Sequence, residues 1–373
     1  MRQYSVKAND VPAVIAEVAA RGFGANVVSR GEWALATRAG VPDDRITLEG
    51  IGKTPADLRA AAATAASMRP LRWVALESVE ETAALASMVA AVADRRGGGR
   101  RRARPRLDVL FRLNPDVTPE TLAGLAVGAG ASKFGMTETE IAEAIEAAGG
   151  EDGPLRPRGI HLHVGSQLGA VDAWREAVRR GLAVTGLWRG SIHSFDTLDV
   201  GGGFPVRPVG EPAPSAARFA REVPALLEAI PPDRRPMRLA IEPGRALVAR
   251  SGWLVARVLH VRERGGRQVI LDAGMTELIR PALYGARHPI VALSERPRGA
   301  AEATRVEGPI CESTDSLGVH DLPPLHRGDL VAIADAGAYA AALGSAYNGR
   351  PRPAQVLLDP DGTLRLGRRR GSI

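Results

Sequence analysis

Only three of the forty-nine basic residues are lysines, Lys7, Lys53 and Lys133, and every other positive side chain is an arginine. A guanidinium stays protonated, whereas a lysine amine can be desolvated, lose its proton and attack a carbonyl carbon. Lys7 ends the β-type run Tyr4-Ser5-Val6-Lys7, just before Ala8-Asn9. Three further groups could share a reaction with it: His161-Leu162-His163-Val164-Gly165-Ser166, Gly201-Gly202-Gly203 after Leu198-Asp199-Val200, and Glu242-Pro243-Gly244-Arg245. A period of two places His161 and His163 on one strand face. His161 is expected to be a buried, hydrogen-bonded structural histidine, and His163, nearer the strand end, is expected to meet a ligand. Consecutive glycines let backbone N–H groups approach an anion such as phosphate without Cβ obstruction. Glu242 is placed where a carboxylate could hold a heteroaromatic nitrogen protonated and strengthen its pull on electrons.

These groups need elements to hold them. Short β-branched runs at residues 4–8, 25–29, 45–49, 73–77, 107–113, 159–163, 197–200 and 238–241 alternate with amphipathic stretches at 11–20, 31–39, 55–66, 79–92, 118–126, 173–188 and 215–229. That rhythm predicts a (β/α)8 barrel over 1–249, whose catalytic groups gather at the C-terminal ends of its strands. Lys7, His163, the glycines and Glu242 all fall at such ends. After Arg245 the pattern becomes strand-like runs at 253–261, 268–272, 289–293, 303–307, 330–333 and 355–358, joined mostly by turns. A mainly antiparallel β domain, a barrel or sandwich, is expected over 250–373.

Composition excludes several classes. The chain is 45% hydrophobic without an apolar run long enough to span a bilayer, and Cys311 is its single cysteine, which suits a reducing cytoplasm. The net charge of +7 is concentrated in the arginine-rich stretch 95–106 and the tail Arg368-Arg369-Arg370, without interleaved aromatics, so nucleic acid is not the expected partner. Seven histidines without ligand spacing and one cysteine give no metal site. An amine for a Schiff base, a glycine nest for a phosphate and an acid for a pyridinium together describe pyridoxal 5'-phosphate.

Nine segments in order carry a more specific likeness. They are Tyr4-Ser5-Val6-Lys7-Ala8-Asn9, Ser132-Lys133-Phe134-Gly135, His163-Val164-Gly165-Ser166-Gln167, Gly201-Gly202-Gly203-Phe204, Glu242-Pro243-Gly244-Arg245, Arg280-Pro281-Ala282-Leu283-Tyr284-Gly285, Cys311-Glu312-Ser313-Thr314-Asp315, Gly337-Ala338-Tyr339 and Tyr347-Asn348-Gly349-Arg350-Pro351. With them the chain resembles the alanine-racemase-like, fold type III pyridoxal-phosphate decarboxylases, and among these the diaminopimelate decarboxylases. The resemblance implies that Lys7 is the Schiff-base lysine and that His163 stacks on the cofactor face. Ser166, Gly202, Gly203, Gly244 and Arg245 would surround the phosphate, and Glu242 would face the pyridine nitrogen. Arg245, Arg280 and Tyr284 would hold the substrate, with Tyr339 against both cofactor and substrate. Cys311 would be the proton donor and, with Glu312, would reach into the partner's site in a head-to-tail homodimer. The implied reaction converts meso-2,6-diaminopimelate to L-lysine and CO2. Ornithine, lysine or another carboxylated amine are alternative substrates, and a non-catalytic cofactor-binding barrel is a more distant alternative. Relatives of this kind carry a few dozen residues before the lysine strand, whereas Met1 lies six residues before Lys7, so the expectation is either a misplaced start or a second domain that lacks an edge and a protein that is less stable or inactive.

Overall fold

The computed structural model describes residues 1–95, 104–121, 125–128, 132–206, 211–294 and 298–372. Most of the arginine-rich stretch therefore lies outside the described residues. The chain forms two compact units, Met1–Pro205 with Ala213–Gly244, and Val206–Pro212 with Arg245–Ile373.

In the first unit eight strands, β1 (Gln3–Ser5), β2 (Gly24–Val27), β3 (Ile46–Leu48), β4 (Trp73–Leu76), β5 (Leu107–Arg112), β6 (Leu155–His161), β7 (Thr197–Asp199) and β8 (Arg238–Ala240), pair in sequence order, all parallel. A bridge between Arg2 and Ile241, with Gln3 N–H donating to the Ile241 carbonyl at 2.9 Å, joins the last strand to the first. Strands such as Trp73-Val74-Ala75-Leu76 are buried at every residue, as parallel strands covered on both faces must be. Helix starts follow capping chemistry: Thr54 and Asp57 form a reciprocal capping box ahead of Pro55–Thr64, and Thr137 and Glu140 another ahead of Glu138–Ala147.

At the strand starts, away from the candidate site, Asp196 accepts two bonds from Arg158 Nη2 at 2.9 and 2.8 Å and one from Arg238 Nη1 at 2.7 Å. This ties β6 to β8 across the foot of β7. Gly159, at φ 150°, lies against β7 so closely that a Cβ would overlap the Thr197 carbonyl. Gly159→Ala is expected to lower stability by about 1–3 kcal/mol, the usual cost of forcing such backbone, read as a lower thermal midpoint with the far-UV spectrum retained.

Several expected elements differ. The run predicted as a strand over 4–8 stops at Ser5, and Val6–Ala8 is a 3-10 turn, closed by Asn9 N–H on the Val6 carbonyl at 3.0 Å. The helix predicted over 118–126 is not formed by the described residues there. Val117 N–H instead donates to Gly128 at 2.7 Å, and Ala126 bridges Gly165 beyond the end of β6. The helix of that crossover is Glu138–Ala147. The stretch 215–229 divides into Ala216–Ala220 and Val223–Glu228, with Pro224 in the first turn of the second, where its missing N–H costs no bond.

The second unit holds a six-stranded sheet of β9 (Leu254–Glu263), β10 (Arg267–Leu271), β11 (Ile290–Ala292), β12 (Glu302–Glu307), β13 (Ser316–Leu322) and β14 (Leu330–Ile333), in the order β11-β14-β9-β10-β12-β13. Only the β10–β12 pair is parallel. Val258, Val269, Leu271, Leu278, Val306, Val331 and Ile333 form its core. β15 (Gln355–Leu358) and β16 (Leu364–Arg368) make a separate hairpin. Among the described residues no helix is long and apolar enough to cross a membrane.

Candidate active site

The three lysines separate by environment. Lys53 has a buried side chain, 3.0 Å from the Glu81 carboxylate, and donates to the Gly50 carbonyl. Lys133 is exposed, with its amine 5.2 Å from the Phe134 ring centroid. Lys7 has neither arrangement. It sits on the turn after β1, which is stitched to the end of β8: Ser5 Oγ donates to the Glu242 carbonyl at 3.0 Å and Ser5 N–H to that of Pro243 at 3.3 Å. Gly244 packs tightly beside it, where a Cβ would come to 3.0 Å from both the Ser5 and Ala8 Cβ atoms. Lys7 and Glu242 thus occupy neighbouring strand ends, as the sequence suggested.

Around them lies a buried acidic cluster that sequence reasoning missed. His161 Nε2 stands 3.5 Å from Glu49 Oε2 and 3.5 Å from Glu242 Oε1, while Asn26 Nδ2 donates to Glu49 Oε2 at 2.8 Å. Burial, followed by the nearby Glu242 charge, raises the Glu49 and Asp199 carboxyls well above the usual carboxylate range. Burial pulls His161 down to about 4, so the ring is neutral near pH 7. His161 is buried as expected, yet neither ring nitrogen has a hydrogen-bond partner, contrary to the expected bonded histidine. The Glu49, His161 and Glu242 donor atoms lie within 4.8 Å of one another, a spacing that could also hold a cation. A cation there would compete for the carboxylate expected to face a pyridinium.

His163 lies just past β6, where its Nδ1 accepts the Gly202 N–H at 3.3 Å. Burial and the Lys7 charge bring it well below its ordinary value. It is therefore a neutral ring with the proton on Nε2. The glycines owe their identity to close packing as much as to any ligand. A Cβ on Gly202 would overlap the Glu242 carbonyl, and one on Gly203, at φ 92°, the Gly165 carbonyl. Gly201 N–H is held by Asp199 Oδ1 at 2.9 Å. Gly203→Ala is expected to cost stability and to loosen the rim, read as a lower thermal midpoint together with weaker cofactor retention on dialysis. Ser166 N–H donates to Leu125 at 3.1 Å, which fixes the turn after β6.

A second cluster, within the second unit, contains Arg245, Arg280, Tyr284 and Tyr339. The Arg245 guanidinium lies 4.5 Å over the Tyr339 ring. Tyr339 has a left-handed backbone, φ 56°, held because Gly337 and Ala336 donate to the Ala249 and Gly252 carbonyls at 3.0 and 2.9 Å. Arg280, 7% exposed, opens the short helix Arg280–Tyr284, and its Nε has no hydrogen-bond partner. Burial, then repulsion from Arg245, lowers its guanidinium to about 10. Cys311 is exposed, and Glu312 accepts the Tyr347 hydroxyl at 2.8 Å. Their loop is stapled by buried Asp315, which accepts Met275 N–H at 2.6 Å and Ile310 N–H at 2.7 Å.

A parallel barrel whose strand ends bring a lysine, neutral histidines and a buried carboxylate to one rim defines a class of cofactor enzyme in which an amine engages an aldehyde. The family described as pyridoxal-dependent decarboxylase, pyridoxal binding domain, matches residues 2–249. Diaminopimelate decarboxylase of Zymomonas mobilis is 34% identical over 373 aligned residues, covering 99% of this chain and 83% of that protein. The crystal structure of diaminopimelate decarboxylase from Helicobacter pylori complexed with L-lysine superposes with a TM-score of 0.87 at 29% identity, covering 100% of this chain and 88% of that one. For lysine/ornithine decarboxylase from Vibrio vulnificus complexed with cadaverine the TM-score is 0.75 at 25% identity, with 94% and 86% covered. The chain belongs to the pyridoxal-dependent decarboxylase family, and pyridoxal 5'-phosphate is its cofactor. The residues fit that group: Glu242 Oε1 is buried without a hydrogen-bond partner, as an acceptor awaiting a pyridinium N–H would be.

Proposed function

We infer that this chain decarboxylates meso-2,6-diaminopimelate to L-lysine and CO2. The observation that carries the choice of substrate is the Arg280 guanidinium, buried, depressed by its surroundings and without a hydrogen-bond partner at Nε. A buried cation in this state favours an anionic ligand, and a fork of N–H donors suits a carboxylate. The far end of diaminopimelate carries one; those of ornithine and lysine carry an ammonium, which two arginines would repel.

When bound, pyridoxal phosphate would supply an aldehyde for amines and an electron-withdrawing pyridinium for the decarboxylation. Lys7 would give the amine that holds the cofactor. Glu242 keeps the ring nitrogen protonated, and neutral His163 covers a ring face without adding charge. Ser166, Gly202, Gly203, Gly244 and Arg245 take the phosphate end. Arg245, Arg280 and Tyr284 orient the substrate, and Tyr339 lies against it. A proton returns to Cα from the Cys311 thiol. We assign cofactor binding to 1–249 and this thiol to 250–373 of a partner copy in a head-to-tail homodimer, in the cytoplasm. The exposure of Cys311 supports that assignment.

With the holoenzyme, CO2 release from meso-diaminopimelate is expected to exceed that from ornithine or lysine on the order of a hundredfold in kcat/KM, the scale at which an unmet buried charge discriminates. Equal or faster release from ornithine would reassign the substrate.

A further inference from the structure

His288 is buried three residues beyond the helix Arg280–Tyr284 and its left-handed cap Gly285. Its Nδ1 lies 2.9 Å from the Ala334 carbonyl oxygen, and its Nε2 lies 2.8 Å from Arg280 Nη1. A carbonyl can only accept, so Nδ1 carries the ring proton. Nε2 then presents a lone pair, and Arg280 is the donor. The ring is neutral near pH 7, because burial and the two nearby guanidiniums hold it at about 4. Its anchor is rigid: Ala334 follows β14, its N–H donates to Pro289 at 2.8 Å, and Ile290 of the adjoining strand β11 pairs with Ile333 of β14. An arginine side chain has many rotamers, and an acceptor fixed on one terminal nitrogen selects one plane for the fork while leaving its other N–H groups for a ligand.

We propose that His288 is a positioning residue that locks the Arg280 guanidinium in the plane that receives the substrate's distal carboxylate, and so sets affinity for ligands carrying that group. This rests on the assignment of Arg280 to the substrate made above. His288 does not touch the reacting atoms, so its removal acts on binding and not on the bond-breaking step.

The test compares His288→Phe, which keeps a ring and removes the acceptor, with His288→Gln, which returns an amide oxygen to the ε position. Arg280→Met serves as reference. Steady-state kinetics with meso-diaminopimelate are joined to inhibition by L-lysine, which retains a carboxylate at that end, and by cadaverine, which has none. His288→Phe is expected to raise KM and the L-lysine inhibition constant about tenfold, the scale of one charged hydrogen bond. Its kcat should stay within about threefold and cadaverine inhibition within about twofold, the signature of lost ground-state binding. His288→Gln should recover most of the loss. If His288→Phe does not fold, His288→Asn replaces it: its amide falls a bond short of Arg280, so its KM should rise above that of His288→Gln. An unchanged KM in His288→Phe, or equal KM in the Asn and Gln variants, while Arg280→Met is impaired, overturns the role of His288 alone. A normal KM in Arg280→Met overturns the role together with the reading of Arg280 beneath it.

Discussion

Lys7→Ala is expected to abolish CO2 release, by at least about ten-thousandfold in kcat, while leaving the barrel folded. The size follows from covalent catalysis: without the amine, the cofactor is neither anchored by a bond nor exchanged onto the substrate. Neither remaining lysine can substitute. Lys53 is engaged by Glu81 and the Gly50 carbonyl, and Lys133 is exposed beside Phe134. Stability should change little, because Lys7 forms no ion pair on its turn among the described residues and the turn is held by Ser5, Tyr4 and Asn9, with Tyr4 Oη donating to the Asn9 carbonyl at 2.9 Å. Loss of activity with an unchanged thermal midpoint is the expected pair of results.

Glu242→Gln is the second variant with a large expected effect, and it should divide activity from stability. An amide cannot hold a pyridine nitrogen protonated, so kcat is expected to fall by about two to three orders of magnitude, in the range for removing a positioned acid or base. Apo-protein stability should rise. Glu242 is the largest charged contributor to the upward displacement of both Glu49 and Asp199, and its removal relieves like-charge crowding in a buried cluster. The sign with pH follows by linkage. Carboxyls raised in the folded state bind more protons folded than unfolded, so their contribution to stability is present below about pH 4, the ordinary carboxylate value, and is lost as pH rises through their folded values. The wild-type apo-protein should therefore lose stability on this account above that range, and Glu242→Gln should lose less. Thermal midpoints of both apo-proteins across pH test this; a steeper loss in the variant would contradict it.

The parallel barrel was legible because its strands are short buried runs at an even period, and the antiparallel unit because turns replace helices after Arg245. β13 was missed because Gly318, His320 and Asp321 dilute its pattern, although it pairs along its length with β12. The helix Glu138–Ala147 carries a local signal in the capping pair Thr137 and Glu140, which the periodicity of 118–126 does not match. At the site, residue type together with strand-end position found Lys7, His163 and Glu242. The same rule applied to the other strands points to Glu49 after β3, Glu77 after β4 and Arg112 ending β5. The last two form a buried pair at 2.5 Å, and Glu77 also accepts Gly135 N–H at 3.0 Å, which places the Ser132-Lys133-Phe134-Gly135 turn on the rim. Their partners come from distant strands, and no local pattern encodes that. His288 was hidden for the same reason, since Arg280 and Ala334 are brought to it by the second unit's sheet.

Borohydride reduction of the purified protein incubated with pyridoxal 5'-phosphate, followed by peptide mapping, addresses the central claim most directly. One reduced phosphopyridoxyl group per chain, carried by the peptide containing Lys7, is the result expected; labelling at Lys53 or Lys133 with Lys7 unmodified would contradict it.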